Sequence, residues 1–274
     1  MKSSRRSIRR PEIANRRGAD LTGLSILITR EGEQALVMAG MVTARGGDPL
    51  VFPTIQTRLA LPPGQVEAFR KELSRSSWVV LSSVTGAKFL MDILGESFLS
   101  LLETRKVAAV GRKTASFLKE SGCRVHLVPD REDSRSLAEA LCGILGDDDR
   151  VFFPRAKEGR RDLIDILKER GFRHETPVLY ETGVPEYGSD EVRRVLDAGV
   201  SYATFTSPST FQNFISLAGK ESSASFFKNV KIAVIGDTTA DCVTMQGFVV
   251  SVKPDYPDVE RLLDAISAHN AGVS

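Results

Sequence analysis

An internal repeat constrains this 274-residue chain more than any other feature. The segment that starts at Ser25, SILITREGEQALVMAGMVTARGGDPLVFPTIQT, aligns without gaps with the segment that starts at Arg150, RVFFPRAKEGRRDLIDILKERGFRHETPVLYET. Identical pairs at an offset of 125 residues include Arg30 and Arg155, Thr57 and Thr182, Gly111 and Gly236, Thr114 and Thr239, Gly122 and Gly247, Pro129 and Pro254, and Leu137 and Leu262. A repeat of this length predicts two homologous halves rather than a solenoid of short units.

Each half alternates short apolar runs with amphipathic segments. The runs ILIT, VVL, VAAV and VHLV are rich in β-branched residues, which favour strands. The segment RRDLIDILKERG has Leu163, Ile164 and Leu167 at helical spacing, and Gly171 stands where a left-handed C-cap belongs. TASFLKESG and TADCVTMQG also run from a threonine to a terminal glycine. This pattern predicts an α/β fold with two similar lobes, each a doubly wound parallel sheet flanked by helices.

The charge of the chain is concentrated at its start. The formal net charge is +2, and the segment MKSSRRSIRRPEIANRRG carries six arginines and one lysine against one glutamate. The rest of the chain is therefore slightly acidic, which disfavours a nucleic-acid partner. We expect residues 1–21 to form a basic, disordered tail, with organellar targeting as the alternative. No apolar stretch approaches the roughly 18 residues that span a bilayer, so no membrane association is expected.

Cysteine and histidine usage narrows the chemistry further. The three cysteines, Cys123, Cys142 and Cys242, are odd in number and lie in apolar patterns, which favours reduced thiols in a cytoplasmic protein. The three histidines have no partner at metal-ligand spacing, so a metal site is not expected. The chain also lacks the glycine-rich signatures of nucleotide and dinucleotide sites and the G-x-S-x-G of hydrolases.

The candidate site lies in four turns rich in Gly, Ser and Thr. They span 81–86, 110–115, 205–210 and 235–240, where strands are predicted to give way to helices. Ligands of open parallel sheets bind at this edge, and the free N–H groups of helix N-termini attract anions. The alternative is that these hydroxyls only cap their helices. The arginines after the first strand of each half, together with Lys157, Arg160 and Arg161, could bind carboxylates or be solvated surface groups. A cleft of this kind suits a large polyanion.

The ordered set of motifs resembles the uroporphyrinogen-III synthase family from about residue 22 to 268. It comprises ILITR, VLSSVTGA, VAAVGRKTA, FFPRA, VLYET, TFTSPST and AVIGDTTA. The resemblance implies that the lobes are not tandem halves: residues 22–54 with 184–274 would form lobe 1, and residues 55–183 lobe 2. The connectors near 53–59 and 177–184, opened by Pro53 and Pro177, would form a two-stranded antiparallel linker.

The resemblance also implies a reaction. Hydroxymethylbilane, a linear tetrapyrrole with eight carboxylates, would be closed to uroporphyrinogen III with inversion of ring D and loss of water. No cofactor would be required, the protein would be a monomer, and its substrate could be handed over by hydroxymethylbilane synthase. Two alternatives remain open. One is a non-enzymatic, bilobal tetrapyrrole- or anion-binding sensor, and the other is an enzyme acting on a phosphorylated substrate.

The family's site residues are carried over by matching motifs. Tyr180 in VLYET would be the catalytic group that assists departure of hydroxide. The residues matched to substrate binding are Arg30, Ser82, Ser83, Arg155, Ser207, Ser209, Thr238 and Thr239. Two residues depart from the pattern, since Arg112 and Asp237 stand where the family often has proline. Asp237 could cap its helix, although its charge would repel a substrate carboxylate if it pointed inward.

Overall fold

The computed structural model describes residues 20–272, so almost all of the predicted tail at 1–21 lies outside the described residues. Within this range the chain divides into two compact units. Unit 1 contains residues up to Gln56 and from Val184 onward, and unit 2 is the continuous segment Thr57–Gly183. Among residues 20–272, no helix has both the length and the apolar character needed to cross a bilayer.

Twelve strands and twelve α-helices make up the described chain. The strands are β1 Ser25–Ile28, β2 Asp48–Val51, β3 Gln56–Leu59, β4 Trp78–Leu81, β5 Lys106–Ala109, β6 Arg150–Phe152, β7 Arg155–Ala156, β8 Arg173–Glu175, β9 Val178–Gly183, β10 Tyr202–Phe205, β11 Lys231–Val234 and β12 Val250–Val252. The helices are α1 Gly32–Ala44, α2 Val66–Ser74, α3 Val84–Leu94, α4 Ser97–Glu103, α5 Arg112–Glu120, α6 Ser134–Cys142, α7 Asp162–Glu169, α8 Ser189–Leu196, α9 Pro208–Ala218, α10 Lys220–Phe226, α11 Asp237–Met245 and α12 Val259–Asn270.

Unit 1 is built on a five-stranded parallel sheet in the order β12-β11-β10-β1-β2. Successive side chains of a strand point to opposite faces, and β1 follows this rule. Ile26 and Ile28 pack in one core with α1 and α12, whereas Leu27 packs in the other core with α8, α9 and α10. The sheet is therefore covered on both faces, as a parallel sheet requires.

Unit 2 has a four-stranded parallel sheet in the order β5-β4-β6-β8. Val79 and Leu81 of β4 pack in the core that α2, α3, α4 and α5 cover. Trp78 and Val80 pack in the opposite core with α6 and α7. Leu127 adds a single parallel bridge to Ala108 of β5.

The repeat is visible in the strand order. At the repeat offset, β6, β8, β4 and β5 correspond to β1, β2, β10 and β11, and the Leu127 bridge corresponds to β12. Each unit therefore arranges equivalent strands in the same order, although the chain enters the two units at different points. The predicted α/β class, with parallel sheets flanked by helices, is confirmed.

A separate small sheet contains the two segments that the resemblance marked as connectors. Thr57 and Thr182, which are repeat equivalents, place their hydroxyl oxygens 3.4 Å apart. Ala60 N–H donates to the Leu179 carbonyl at 2.9 Å, so β3 and β9 run antiparallel. The short strand β7 pairs in parallel with the other side of β9, which gives three strands where two were expected.

The predicted strand VHLV is reduced to that one bridge because a side chain takes over part of the ladder. The Val107 N–H donates to Nδ1 of His126 at 3.0 Å, and the Val107 carbonyl accepts the N–H of His126 at 2.7 Å. Burial, with the positive charges of Arg124 and Lys106, lowers the pKa of His126.

Candidate functional site

The first group of site residues lies in unit 2, where β4 ends and α3 begins. Strands β5 and β6 lie on opposite sides of β4, and the chain passes from β4 to β5 before it reaches β6. The strand order therefore reverses beside β4, so the carboxyl end of β4 lies at the topological switch point of the sheet. Ser83 is the N-cap of α3, and its Oγ accepts the Gly86 N–H at 2.9 Å. The same Oγ lies 2.8 Å from the phenolic oxygen of Tyr180 on β9.

Tyr180 is held closely at this position. Its side chain packs in the unit 2 core, and the residue is only 8% exposed. Its ring stacks on Phe89 with centroids 5.4 Å apart and planes inclined by 14°. The backbone N–H of Lys157 donates to the Tyr180 carbonyl at 2.9 Å, which fixes the strand on its other edge. The phenolic hydroxyl is thus placed at a helix N-terminus by three independent contacts.

The equivalent turn of unit 1 follows β10. Ser207 is the N-cap of α9, where its Oγ accepts the Thr210 N–H at 3.2 Å. Its hydroxyl also lies 2.9 Å from that of Ser209, which is exposed. The capping alternative considered from the sequence therefore holds for both Ser83 and Ser207. Ser82, beside Ser83, is half-buried in its turn.

The other two turns are capped differently. Gly111 before α5 and Gly236 before α11 are the N-caps, and no side chain within residues 20–272 caps either helix. The first-turn N–H groups of these helices consequently depend on backbone, water or ligand for partners. In the first turn of α11, Thr238 is exposed, whereas Thr239 is 3% exposed.

Each glycine-capped turn carries an ion pair, with opposite polarity in the two units. Asp237 pairs with Lys253 at 2.8 Å, and this carboxylate raises the pKa of Lys253. Arg112, the repeat equivalent of Asp237, lies 3.5 Å from Glu132. The suggestion that Asp237 caps its helix is wrong, because Asp237 is the first helical residue and its carboxylate pairs with Lys253.

The two predicted arginines are engaged within their own turns. Arg30 donates to Oε1 of Gln34, one turn along α1, and partial burial lowers its pKa. Arg155 donates from one guanidinium nitrogen to the carbonyls of Ala156 and Lys157, at 2.9 and 3.0 Å. Its Nε is buried and has no hydrogen-bond partner in the described part of the chain. Both side chains therefore brace backbone or neighbouring side chains.

The structure brings together two pairs of predicted site residues, Tyr180 with Ser83 and Ser207 with Ser209. Sequence reasoning missed Gly86, Phe89 and Lys253. The first two carry a detectable signal, since they follow the N-cap Ser83 at steps of three and therefore share one face of α3. Within residues 20–272, no cluster of three His, Cys, Asp or Glu side chains could hold a metal ion.

Comparison with known proteins shows that the chain is similar to one family. The family described as uroporphyrinogen-III synthase HemD matches residues 37–264. The uroporphyrinogen-III synthase of Chlorobaculum parvum is 26% identical over 249 residues, which cover 89% of this chain and 98% of that protein. The porphyrin biosynthesis protein HemD of Ruminiclostridium josui is 29% identical over 199 residues, which span 71% of this chain but only 39% of that longer relative.

A solved structure supports the same architecture. The crystal structure of uroporphyrinogen-III synthetase from Helicobacter pylori is similar with a TM-score of 0.54 and 19% identity, covering 88% of this chain and 96% of that one. At this identity the likeness concerns the fold alone.

Proposed function

Since this chain belongs to the uroporphyrinogen-III synthase family, which matches it over residues 37–264, we propose that it closes hydroxymethylbilane to uroporphyrinogen III. The chain is a cyclising lyase of porphyrin biosynthesis. It eliminates water and inverts ring D, where unassisted closure gives the symmetrical isomer. The task is chiefly one of orientation and electrostatic stabilisation, which calls for few acids or bases.

The placement of Tyr180 carries the chemical part of the proposal. Its hydroxyl is 2.8 Å from Ser83 at the N-terminus of α3. The hydroxymethyl C–O bond of the substrate breaks as Tyr180 gives its proton to the departing oxygen, which leaves as water. The pyrrole that carried this group becomes an electrophilic azafulvenium. The substituted position of ring D attacks it to form a spiro intermediate, which fragments and recombines, and the proton lost on closure returns to Tyr180.

The carboxylates of the substrate are bound by the remaining predicted residues. Thr238 is exposed at the uncapped N-terminus of α11, so its hydroxyl and the adjacent backbone N–H groups supply donors to one carboxylate. Thr239, which is buried, holds this turn in shape. Further carboxylates interact with Ser82, Ser207 and Ser209. Arg30 and Arg155 contribute the guanidinium N–H groups that do not donate within their own turns.

The proposal also includes the oligomeric state of the enzyme, its compartment and the source of its substrate. It acts as a monomer in the cytoplasm, where the thiols of Cys123, Cys142 and Cys242 stay reduced; all three are free. Hydroxymethylbilane synthase supplies the substrate directly, which limits the time available for unassisted closure.

Replacement of one hydroxyl tests the catalytic assignment. We expect Tyr180→Phe to lower kcat for type III product by roughly 100-fold, because general acid catalysis contributes about 10²–10⁴-fold. Tyr187→Phe is the matched control, since it also removes one phenolic hydrogen bond, to the Pro53 carbonyl at 2.9 Å. Tyr187→Phe should keep full activity. Equal kcat values for Tyr180→Phe, Tyr187→Phe and the unsubstituted protein would remove Tyr180 from the mechanism.

A further inference from the structure

The hydroxyl of Tyr180 is held by a socket on one face of α3, formed by Ser83, Gly86 and Phe89. Ser83 contacts the phenolic oxygen at 2.8 Å, and Phe89 stacks on the ring. Gly86 lies between them. A Cβ at Gly86 would lie 3.2 Å from the Ser83 Oγ and 3.4 Å from the Tyr180 Cε1, so the absence of a side chain there leaves room for the ring to approach the helix this closely.

The repeat supplies an internal comparison for this socket. The N-cap is a serine in both units, Ser83 and Ser207. The other three positions differ, since Gly86, Phe89 and Tyr180 correspond to Thr210, Asn213 and Ile55. A role restricted to helix capping would require only the serine. Gly86 and Phe89 therefore occur in the unit that contains Tyr180, whereas the equivalent turn of unit 1 has neither residue type at these positions.

The hydrogen-bond donors at this turn determine which hydroxyl donates in the contact between Ser83 and Tyr180. The Oγ of Ser83 already accepts the Gly86 N–H at 2.9 Å. A tyrosine has a single hydroxyl proton, so a Tyr180 that delivers it to the substrate must accept, rather than donate, in its contact with Ser83. The Ser83 hydroxyl proton then points at the phenolic oxygen. Negative charge that develops on this oxygen is stabilised by the serine and, through it, by the positive end of α3.

We infer that Ser83 is a positioning residue that acts through Tyr180 and stabilises the phenolate as the proton leaves, with Gly86 and Phe89 fixing the ring. This inference rests on the catalytic role of Tyr180 under the proposed function. It replaces the direct contact between Ser83 and a substrate carboxylate that the family resemblance implied.

A double-mutant cycle separates these roles. The variants are Ser83→Gly, Tyr180→Phe and both together, assayed for kcat and KM of type III formation. Glycine is a tolerated N-cap, so Ser83→Gly removes the hydroxyl with little loss of helix stability. We expect Ser83→Gly to lower kcat about 10-fold with KM nearly unchanged, because a slightly misplaced group loses rate rather than binding. In the Tyr180→Phe background, Ser83→Gly should change kcat by less than about 2-fold.

Each other outcome contradicts the inference in a distinct way. A raised KM with unchanged kcat for Ser83→Gly would assign Ser83 to substrate binding. Equal kcat losses in both backgrounds would show that Ser83 acts independently of Tyr180. Full activity of Tyr180→Phe would overturn the proposed role of Tyr180 itself, and the positioning role with it. Asp133→Ala is the control for cap loss, since Asp133 caps α6 of the same unit by accepting the Ser136 N–H at 2.8 Å. This variant should keep wild-type kcat.

Discussion

At the scale of single residues, the N-termini of four helices of this protein are capped in two different ways. Ser83 and Ser207 cap their own helices, so their hydroxyls are partly committed to the protein. Gly111 and Gly236 precede helices that no side chain caps within residues 20–272. The sequence shows all four turns as equally rich in small residues. It could not separate them, because the difference lies in which hydroxyl lies within reach of a backbone N–H group.

The ion pair beside α11 leads to a prediction about binding. Asp237 is 84% exposed in its side chain and is paired with Lys253, so its negative charge at this turn is only partly offset. We expect Asp237→Asn to lower the KM for the octacarboxylate substrate by about 2- to 5-fold at low salt, since a unit charge at 4 Å is worth roughly 1 kcal/mol in water. Lys253→Met should raise KM, and both effects should shrink in 0.5 M salt, which is about the range where screening dominates.

Steady-state kinetics at two salt concentrations measure this effect. Asp148→Asn, an exposed carboxylate of unit 2, makes the same change in net charge and should leave KM unaltered. Equal KM shifts for Asp237→Asn and Asp148→Asn would mean that only the total charge matters, and would contradict the proposed role of α11 in carboxylate binding.

At the scale of elements, the sequence predicts best where hydrophobic spacing and a cap signal coincide. In α7, Leu163, Ile164 and Leu167 are buried as their spacing indicated, and Gly171 has a φ of +75°. Prediction fails at VHLV, because the competing bond from Val107 N–H to the imidazole of His126 depends on tertiary proximity. It also fails to reveal the socket of Tyr180, since β9 and α3 are remote in sequence.

Two glycines should respond to alanine in opposite directions. Gly40 lies inside α1, where a Cβ would meet no atom within 4 Å. Gly40→Ala should therefore stabilise the protein by about 0.5–1 kcal/mol, as the unfolded chain loses freedom. Gly171→Ala should destabilise it by about 1–2 kcal/mol, because its φ of +75° strains an L-residue. Thermal unfolding followed by circular dichroism checks both, and destabilisation by Gly40→Ala would contradict the reading of α1.

The imidazole of His126 makes the edge of unit 2 sensitive to pH. Its pKa is lower in the folded chain than the ordinary 6.5, mainly because of burial, so the unfolded chain binds more protons in the window below 6.5. The contribution of this group to stability is complete above that value and is lost as the pH falls through the window. Trp78, the only tryptophan and 2% exposed in a unit 2 core, reports the transition by its fluorescence.

The test compares the urea midpoint at pH 7.5 and pH 5.5. His126→Asn keeps an acceptor for the Val107 N–H but does not titrate. We expect the midpoint of the unsubstituted protein to fall more between these pH values than the midpoint of His126→Asn. An identical fall in both proteins would exclude His126 as the source of the acid sensitivity.

At the scale of the whole molecule, the repeat predicts the similarity of the halves but not how the chain is shared between them. A plain duplication suggests two consecutive domains, whereas the compact units are the continuous segment Thr57–Gly183 and a second unit made from both sides of it. Since Thr57–Gly183 contains two complete cores of its own, we expect this segment alone to fold. Its Trp78 emission and urea transition should match those of the full chain. An unfolded fragment would show that unit 2 depends on unit 1.

The isomer of the product is the most direct measure of the proposed reaction. Hydroxymethylbilane is generated in situ by its synthase, this protein is added, and the oxidised porphyrins are separated by chromatography. We expect predominantly type III porphyrin, since the protein must impose the inversion of ring D against unassisted closure. Type I porphyrin alone, from protein shown to be folded by its Trp78 emission, would exclude the proposed reaction and favour a tetrapyrrole- or anion-binding module that has kept the scaffold.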